Sequence, residues 1–347
     1  CIVYRMQIRN YINIVYVSIK KKMQVLALSV NAIGPVLRAA DLRACAHCLV
    51  ELRLRDNKLE GEGGLAEALR DASSLELLEL DMNRLTSLRG LKGGGCPGLR
   101  WLSAAGNCIE STAGLDGCPR LESVSLYRNQ LRALGPEVGC LKHLRTLDVG
   151  RNALRSLDGA LSGCAALQTL VMYENELSEL HLPSQLPSAA LCTELWLGGN
   201  RLASLGPALG LPDATGGWRP ALLSAASGAS AGTSGLLAGL GQAPVCRGWC
   251  ALHVQTVDVS DNELTDLSPL AACLNLRTLN GAFNRVVALA CLGALSGCRG
   301  LRVLQLNDNP VAAHAHYRPL LLLLFPALTE LDGEPVLAAA HAHAHAP

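Results

Sequence analysis

The sequence predicts an α/β repeat solenoid, a curved stack of short coils with a parallel β-sheet on its concave face and a helical or irregular convex side. Three observations carry that expectation. The pattern LxxLxLxxNxL recurs along the chain, for example at residues 144–154 and 167–177. Its asparagine falls at Asn31, Asn57, Asn83, Asn107, Asn129, Asn152, Asn175, Asn200, Asn262, Asn284 and Asn309, with spacings of 22 to 26 residues and one of 62. Thus 11 of the 16 asparagines share one phase. Finally, half of the 347 residues are hydrophobic while only 3% are aromatic, so a folded core must be aliphatic. Self-similarity at a fixed short period is the mark of a stacked repeat.

Each part of the repeat has a physical reason. Within LxLxx the apolar residues alternate with polar or variable ones, the period of a strand with one buried face. A strand of about five residues cannot bury that face alone, so coils must stack into a parallel sheet over a continuous core. The asparagine is a buried polar side chain and must be paired. Its amide is expected to bond backbone groups of its own coil and the next, which is why it returns on every coil. These residues make the chain resemble the leucine-rich-repeat family over about residues 23–335, in about 11 repeats forming a horseshoe. Met23 and Cys192 at the first apolar position, and Ala104 and Gly281 at the third, depart from the pattern.

The ends and one interval differ from the repeat. Residues 1–22 form an atypical N-terminal segment. The first 24 residues hold five of the seven isoleucines but no Ala, Gly, Leu, Pro, Asp or Glu. They read either as a β element covering the open end of the core or as sequence foreign to the protein. Lys20, Lys21 and Lys22 follow the apolar part, the wrong order for a secretory leader. Residues 211–245, with Asp213 and Arg219 as their only charges, read as a low-complexity insertion or as a stretch hiding a divergent coil at 236–240. The last repeat, 301–311, runs into HYRPLLLLLFPALTELDG. Through Tyr317, Arg318, Pro326, Leu328, Leu331, Asp332 and Gly333, residues 311–335 resemble the C-terminal cap of intracellular leucine-rich-repeat proteins. A cap is needed because the final coil would otherwise expose its leucine row. Pro319 is tolerated near a helix start. Residues 336–347 read as a disordered Ala/His tail.

The 14 cysteines fit the core better than a metal site. Cys96, Cys118, Cys164, Cys273 and Cys298 precede the first leucine of a repeat by three residues, and Cys45 and Cys140 by four. Free cysteine suits such a small apolar slot, and no flanking cysteine cluster points to an oxidising compartment. The CxxC of Cys45 and Cys48 is a zinc half-site in spacing, but the next pair, Cys246 and Cys250, lies about 200 residues away. His341, His343 and His345 alternate with alanine as in a repeat expansion. No cofactor or metal is expected.

Function must then come from surface. A net charge of +1 gives no bulk field for nucleic acid or an anionic membrane. No run of about 18 apolar residues could span a bilayer. There is no phosphate-binding glycine loop, zincin helix or nucleophile elbow, so no enzyme is expected. Trp101, Tyr127, Tyr173 and Trp196 fall on outward strand positions with Phe283 just beyond. Outward aromatics either pair across strands or anchor a partner. Arg53, Arg55, Arg128 and Arg151 lie in earlier repeats, whereas later ones carry Glu174, Glu194, Asp258, Asp261 and Asp308. With Asp148, these give a candidate partner-binding set of Trp101, Tyr127, Asp148, Tyr173, Glu174, Glu194, Trp196, Asp258 and Phe283. The resemblance implies a non-enzymatic scaffold in the cytoplasm or cilium, with a ciliary axonemal or cytoskeletal complex as its partner. It equally includes a regulatory subunit of type-one protein phosphatase, whose partner would be the phosphatase catalytic subunit, and nuclear spliceosomal adaptors.

Overall fold

The computed structural model describes residues 2–4, 7–8, 11–12, 15–20, 22–31, 33–34, 42, 45–61, 63–92, 96–180, 192–206 and 253–337. The insertion at 211–245, Cys246, Cys250 and the histidines of the tail lie outside them. The chain divides into two compact units, Cys1–Glu176 and Leu177–Pro347.

The first unit holds β1 (Ile2–Tyr4), β2 (Gln7–Ile8), β3 (Tyr11–Ile12), β4 (Val15–Lys20), β5 (Lys22–Ala27), β6 (Glu51–Arg53), β7 (Leu77–Glu79), β8 (Trp101–Ser103), β9 (Ser123–Ser125), β10 (Thr146–Asp148) and β11 (Thr169–Val171). From β5 to β11 every strand pairs in parallel with the next. Ahead of them β4 pairs antiparallel with β5, and β1 antiparallel with β4, while β2 and β3 form their own ladder. The second unit holds β12 (Glu194–Trp196), β13 (Thr256–Asp258), β14 (Thr278–Asn280), β15 (Val303–Gln305), β16 (Glu330–Leu331) and β17 (Glu334–Pro335). Here β12 to β16 run parallel and β17 turns back antiparallel. Short 3₁₀ turns and helices, such as Leu115–Gly117, Gly63–Leu69 and Ser268–Ala272, return the chain behind the sheet. This is the expected α/β repeat solenoid.

The alternation read from the sequence is the burial seen in the strands. The middle residue of each strand from β6 to β15 is buried, as at Leu52, Leu102, Leu147, Leu195 and Leu304, while its neighbours face outward. Each buried leucine contributes about 1.5–3 kcal/mol relative to leaving it in water. Of the eleven ladder asparagines, Asn57, Asn83, Asn107, Asn175, Asn200, Asn262, Asn284 and Asn309 are buried. Asn83 shows the rung in full. Its Oδ1 accepts from the backbone N–H of Asn57 and Leu59, both at 3.0 Å, and its Nδ2 donates to the carbonyls of Leu54 (2.9 Å) and Leu80 (2.8 Å). The direction corrects the sequence reading: each asparagine stitches its own coil to the preceding one, not the next. The carbonyls and N–H groups it reaches lie where the earlier coil has just left its strand.

The residue before every ladder asparagine has a positive φ, from Val30 (59°) through Met82 (54°) and Arg151 (53°) to Phe283 (54°) and Asp308 (57°), with Gly106 and Gly199 filling the same place in two coils. A side chain in this left-handed region costs about 1 kcal/mol. The turn is therefore imposed by the stack, and its side chain is carried at a cost.

At the far end of the second unit the helix Tyr317–Leu324 buries Tyr317, Leu321, Leu322 and Leu324. Pro319 sits in its first turn, where the missing N–H is not needed. Asp332, directly after the last parallel strand, ties this end together: its Oδ1 accepts from Leu306 N–H (2.7 Å), and its Oδ2 accepts from the Tyr317 hydroxyl (2.9 Å). Pro335 on β17 offers no N–H to a further strand.

The five cysteines three residues ahead of a repeat leucine are all buried. The Cys164 thiol donates to the Val138 carbonyl and Cys298 to the Cys273 carbonyl, each at 3.3 Å. Burial pushes Cys96 and Cys118 up to about 12, so these thiols stay protonated. Cys140 departs from the expectation, because it is exposed. In its coil Leu141 fills the slot three residues ahead of Leu144, and Cys140 is displaced outward. Cys45 and Cys48 donate to the carbonyls of Leu42 and Cys45. Among the described residues no group of three or more His, Cys, Asp or Glu is placed to hold a metal ion, and no helix is long and apolar enough to cross a membrane.

Candidate functional site

In each unit the parallel sheet turns the residues flanking each buried leucine outward, so one or two side chains per coil are offered on its outer face. In the first unit these groups largely engage one another. Trp101, the first residue of β8, is 42% exposed, with the Arg100 guanidinium 5.0 Å from its ring centroid. Arg100 is itself held by Glu122, Nε–Oε1 2.8 Å. Tyr127 and Tyr173 lie two coils apart, yet their rings approach to 6.0 Å. Gly150, in the coil between them, permits this: a Cβ there would come within 3.1 Å of the Tyr173 ring. Arg151 lies 5.8 Å over Tyr127 and grips Glu174 through Nε (2.7 Å) and Nη2 (2.9 Å).

Asp148 sits below the tyrosines, where its Oδ1 accepts from Gly150 N–H (3.0 Å) and its Oδ2 from the Ser125 hydroxyl (3.4 Å). Burial raises its pKa, and these two hydrogen bonds oppose the rise. Tyr173 is pushed up to about 12, first by burial and then by Tyr127. The basic character read in the early repeats is mostly matched locally. Arg53 pairs with Glu51 (3.1 Å) and Glu79 (3.8 Å), and Arg55 with Asp81 (3.8 Å).

In the second unit, among the described residues, no guanidinium is stacked on an outward ring or paired with the candidate carboxylates. Trp196, the last residue of β12, is 36% exposed, and its Nε1 donates to Glu194 Oε2 (3.2 Å). Asp258 lies beside it in register on β13. The Oδ1 of Asp258 accepts from Ser260 N–H (2.9 Å) and hydroxyl (2.6 Å), and its Oδ2 accepts from Asn280 Nδ2 (3.1 Å). Phe283 is 55% exposed. Asp261 and Asp308 hold the same turn in the coils before and after it. Among the described residues no Lys or Arg pairs with Glu194, Asp258, Asp261 or Asp308; the ion pairs in this unit are Arg285–Glu263 and Arg318–Glu334.

Of the nine candidate residues, Trp101, Tyr127, Asp148, Tyr173 and Glu174 therefore fall in the first unit, and Glu194, Trp196, Asp258 and Phe283 in the second. All nine reach the outward side. Of the groups that hold them, Ser125, Gly150, Ser260 and Asn280 fall on the outward positions the repeat predicts but were given no role, and Arg100 was missed. An arginine immediately before Trp101, and a glycine between two tyrosine-bearing coils, were the available signals.

Residues 116–177 match a family profile described as leucine rich repeat, and residues 45–66 match a second of that description. Podocan-like protein 1 of Mus musculus is 32% identical over 195 residues, 55% of this chain and 29% of that protein. Cilia- and flagella-associated protein 410 of Homo sapiens is 35% identical over 94 residues, 26% of this chain and 36% of that protein. U2 small nuclear ribonucleoprotein A' of Schizosaccharomyces pombe is 38% identical over 86 residues, 24% of this chain and 36% of that protein. The chain spans about a third of the length of these relatives. Among solved structures an internalin from Listeria monocytogenes superposes with a TM-score of 0.54 over 90% of this chain and 87% of that one. At 14% identity this is a likeness of fold.

Proposed function

We propose that this leucine-rich-repeat protein is a non-enzymatic scaffold that seats a protein partner on the outward face of its sheet. The observation that carries this reading is the second unit's face, where Trp196 and Phe283 stand exposed beside carboxylates that no described cation neutralises. Exposed Trp and Phe bring large area with few rotors, and such residues dominate binding energy when covered. Catalysis needs an acid, a base and a nucleophile converging in a dry pocket, whereas the outward groups here are spread one or two per coil.

The partner we favour belongs to a ciliary axonemal or cytoskeletal complex, with the protein acting in the cytoplasm or the cilium. Likeness to Cilia- and flagella-associated protein 410 supports this. A nuclear role is the second reading, supported by 38% identity to the A' ribonucleoprotein. A third follows from the acidic and aromatic set Tyr173, Glu194, Trp196 and Asp258, which would suit the catalytic subunit of type-one phosphatase. Affinity purification of the full chain from ciliated cells, followed by mass spectrometry, separates them. Axonemal proteins are the expected companions. Recovery of spliceosomal proteins or of the phosphatase catalytic subunit would replace that assignment.

A further inference from the structure

The two units place outward aromatics on the same kind of coil but surround them differently, and the difference identifies what the second is built to receive. In the first unit the recurring arrangement is a guanidinium over a ring with a carboxylate at its side: Arg100 with Trp101 and Glu122, Arg151 with Tyr127 and Glu174. In the second unit the rings and carboxylates are present, but among the described residues no guanidinium stacks on a ring. The clearest case is the turn that leaves the sheet, where Phe283 stands between Asp261 and Asp308. Backbone bonds fix the three in register, Asn262 N–H to the Phe283 carbonyl (3.2 Å) and Phe283 N–H to the Asn307 carbonyl (3.0 Å). Neighbouring strands lie about 5 Å apart, so a carboxylate flanks the ring on either side. The cation nearest in sequence, Arg285, is engaged with Glu263 at 3.1 Å. Phe283 occupies the left-handed turn that carries a side chain in most coils, with glycine only at Gly106 and Gly199.

We propose that the rim formed by Asp261, Phe283 and Asp308 binds an arginine side chain of an extended partner segment. The aliphatic stem and guanidinium plane lie on the ring, and the N–H groups reach the two carboxylates. Arginine fits better than lysine because its planar fork both stacks and bonds in pairs. This inference rests on the sheet face being the partner's seat and names the chemistry that face reads.

Fluorescence anisotropy with the full chain tests it, using a labelled Gly-Arg-Gly-Arg-Gly-Arg peptide and its citrulline twin, which keeps the shape and removes the charge. The parent should bind the arginine peptide about tenfold more tightly than the twin. Phe283→Ala, and Asp261→Asn combined with Asp308→Asn, should each weaken it about fivefold, in variants whose circular dichroism matches the parent. Asp81→Asn, which removes a carboxylate in the first unit, should leave binding within about twofold if the attraction is local. No binding, equal binding of the two peptides, no effect of Phe283→Ala, or an equal loss with Asp81→Asn would each overturn the proposal. The same variants against the copurified partner separate the two levels. Capture lost with Trp196→Ala but kept with Phe283→Ala rejects the rim site alone, and capture kept with both rejects the sheet-face reading too.

Discussion

Trp101 in the first unit is the more exposed of two outward tryptophans, at 42% against 36% for Trp196 in the second. Exposure alone would rank Trp101 as the better anchor. Its surroundings reverse that order. Trp101 already stacks with Arg100, which Glu122 holds in place, and Tyr127 and Tyr173 are engaged with each other and with Arg151. Among the described residues Trp196 has a carboxylate as its polar partner. A partner landing on the first unit must displace arginines that are already paired, whereas on the second it can supply the positive charge that no described residue gives to the outward carboxylates. What an outward ring has already been given decides its availability, more than the area it shows.

Substitutions can break or sharpen this contrast, and the largest effect should fall on what the units share. Asn152→Leu in the first and Asn284→Leu in the second each orphan an N–H, of Leu131 or Leu264, together with backbone carbonyls. Each should cost about 2–4 kcal/mol of stability, read by denaturant unfolding. A loss confined to one unit would mean the ladder is not a common device. Next in size, Trp196→Ala should weaken partner binding by about 2 kcal/mol and Trp101→Ala by less than about 0.5 kcal/mol, measured by titration calorimetry. Equal losses would dissolve the distinction between the units.

Smaller effects probe the first unit's internal pairing. Arg151→Ala removes the stack on Tyr127 and the fork on Glu174, and should lower the melting temperature only slightly, since the pair is exposed. The smallest effect concerns Asp148, whose pKa burial raises. The folded state then holds the proton more tightly than the unfolded chain, so stability falls as pH rises through the folded pKa. Asp148→Asn, neutral throughout, should melt slightly above the parent at pH 7. That gain should vanish toward about pH 3, where the parent carboxyl is itself protonated. A gain that grows on acidification would show the opposite shift.

The strands and the asparagine rungs were legible because both repeat: alternation marks one buried face, and a buried amide must recur wherever the same orphaned backbone recurs. The aromatic positions were legible for the same reason, as fixed offsets from the leucine pair. Their partners were not. Arg151 and Glu174 are 23 residues apart, and repeats of unequal length blur which side chains stand opposite. The left-handed turn was hidden too, because Val30, Met82, Arg151 and Phe283 fill it instead of the Gly or Asn that normally announces such a backbone. Cys140 went astray through a one-residue offset, which a neighbouring leucine decided.

The central claim is that the outward face of the sheet, and not the returning turns behind it, holds a protein partner. A photo-crosslinking residue at position 196, compared with one at the exposed Leu274 beside the turn Ser268–Ala272, measures this directly. Crosslinks to the copurified partner from position 196 and none from 274 are the predicted result; crosslinks from 274 with none from 196 would contradict it.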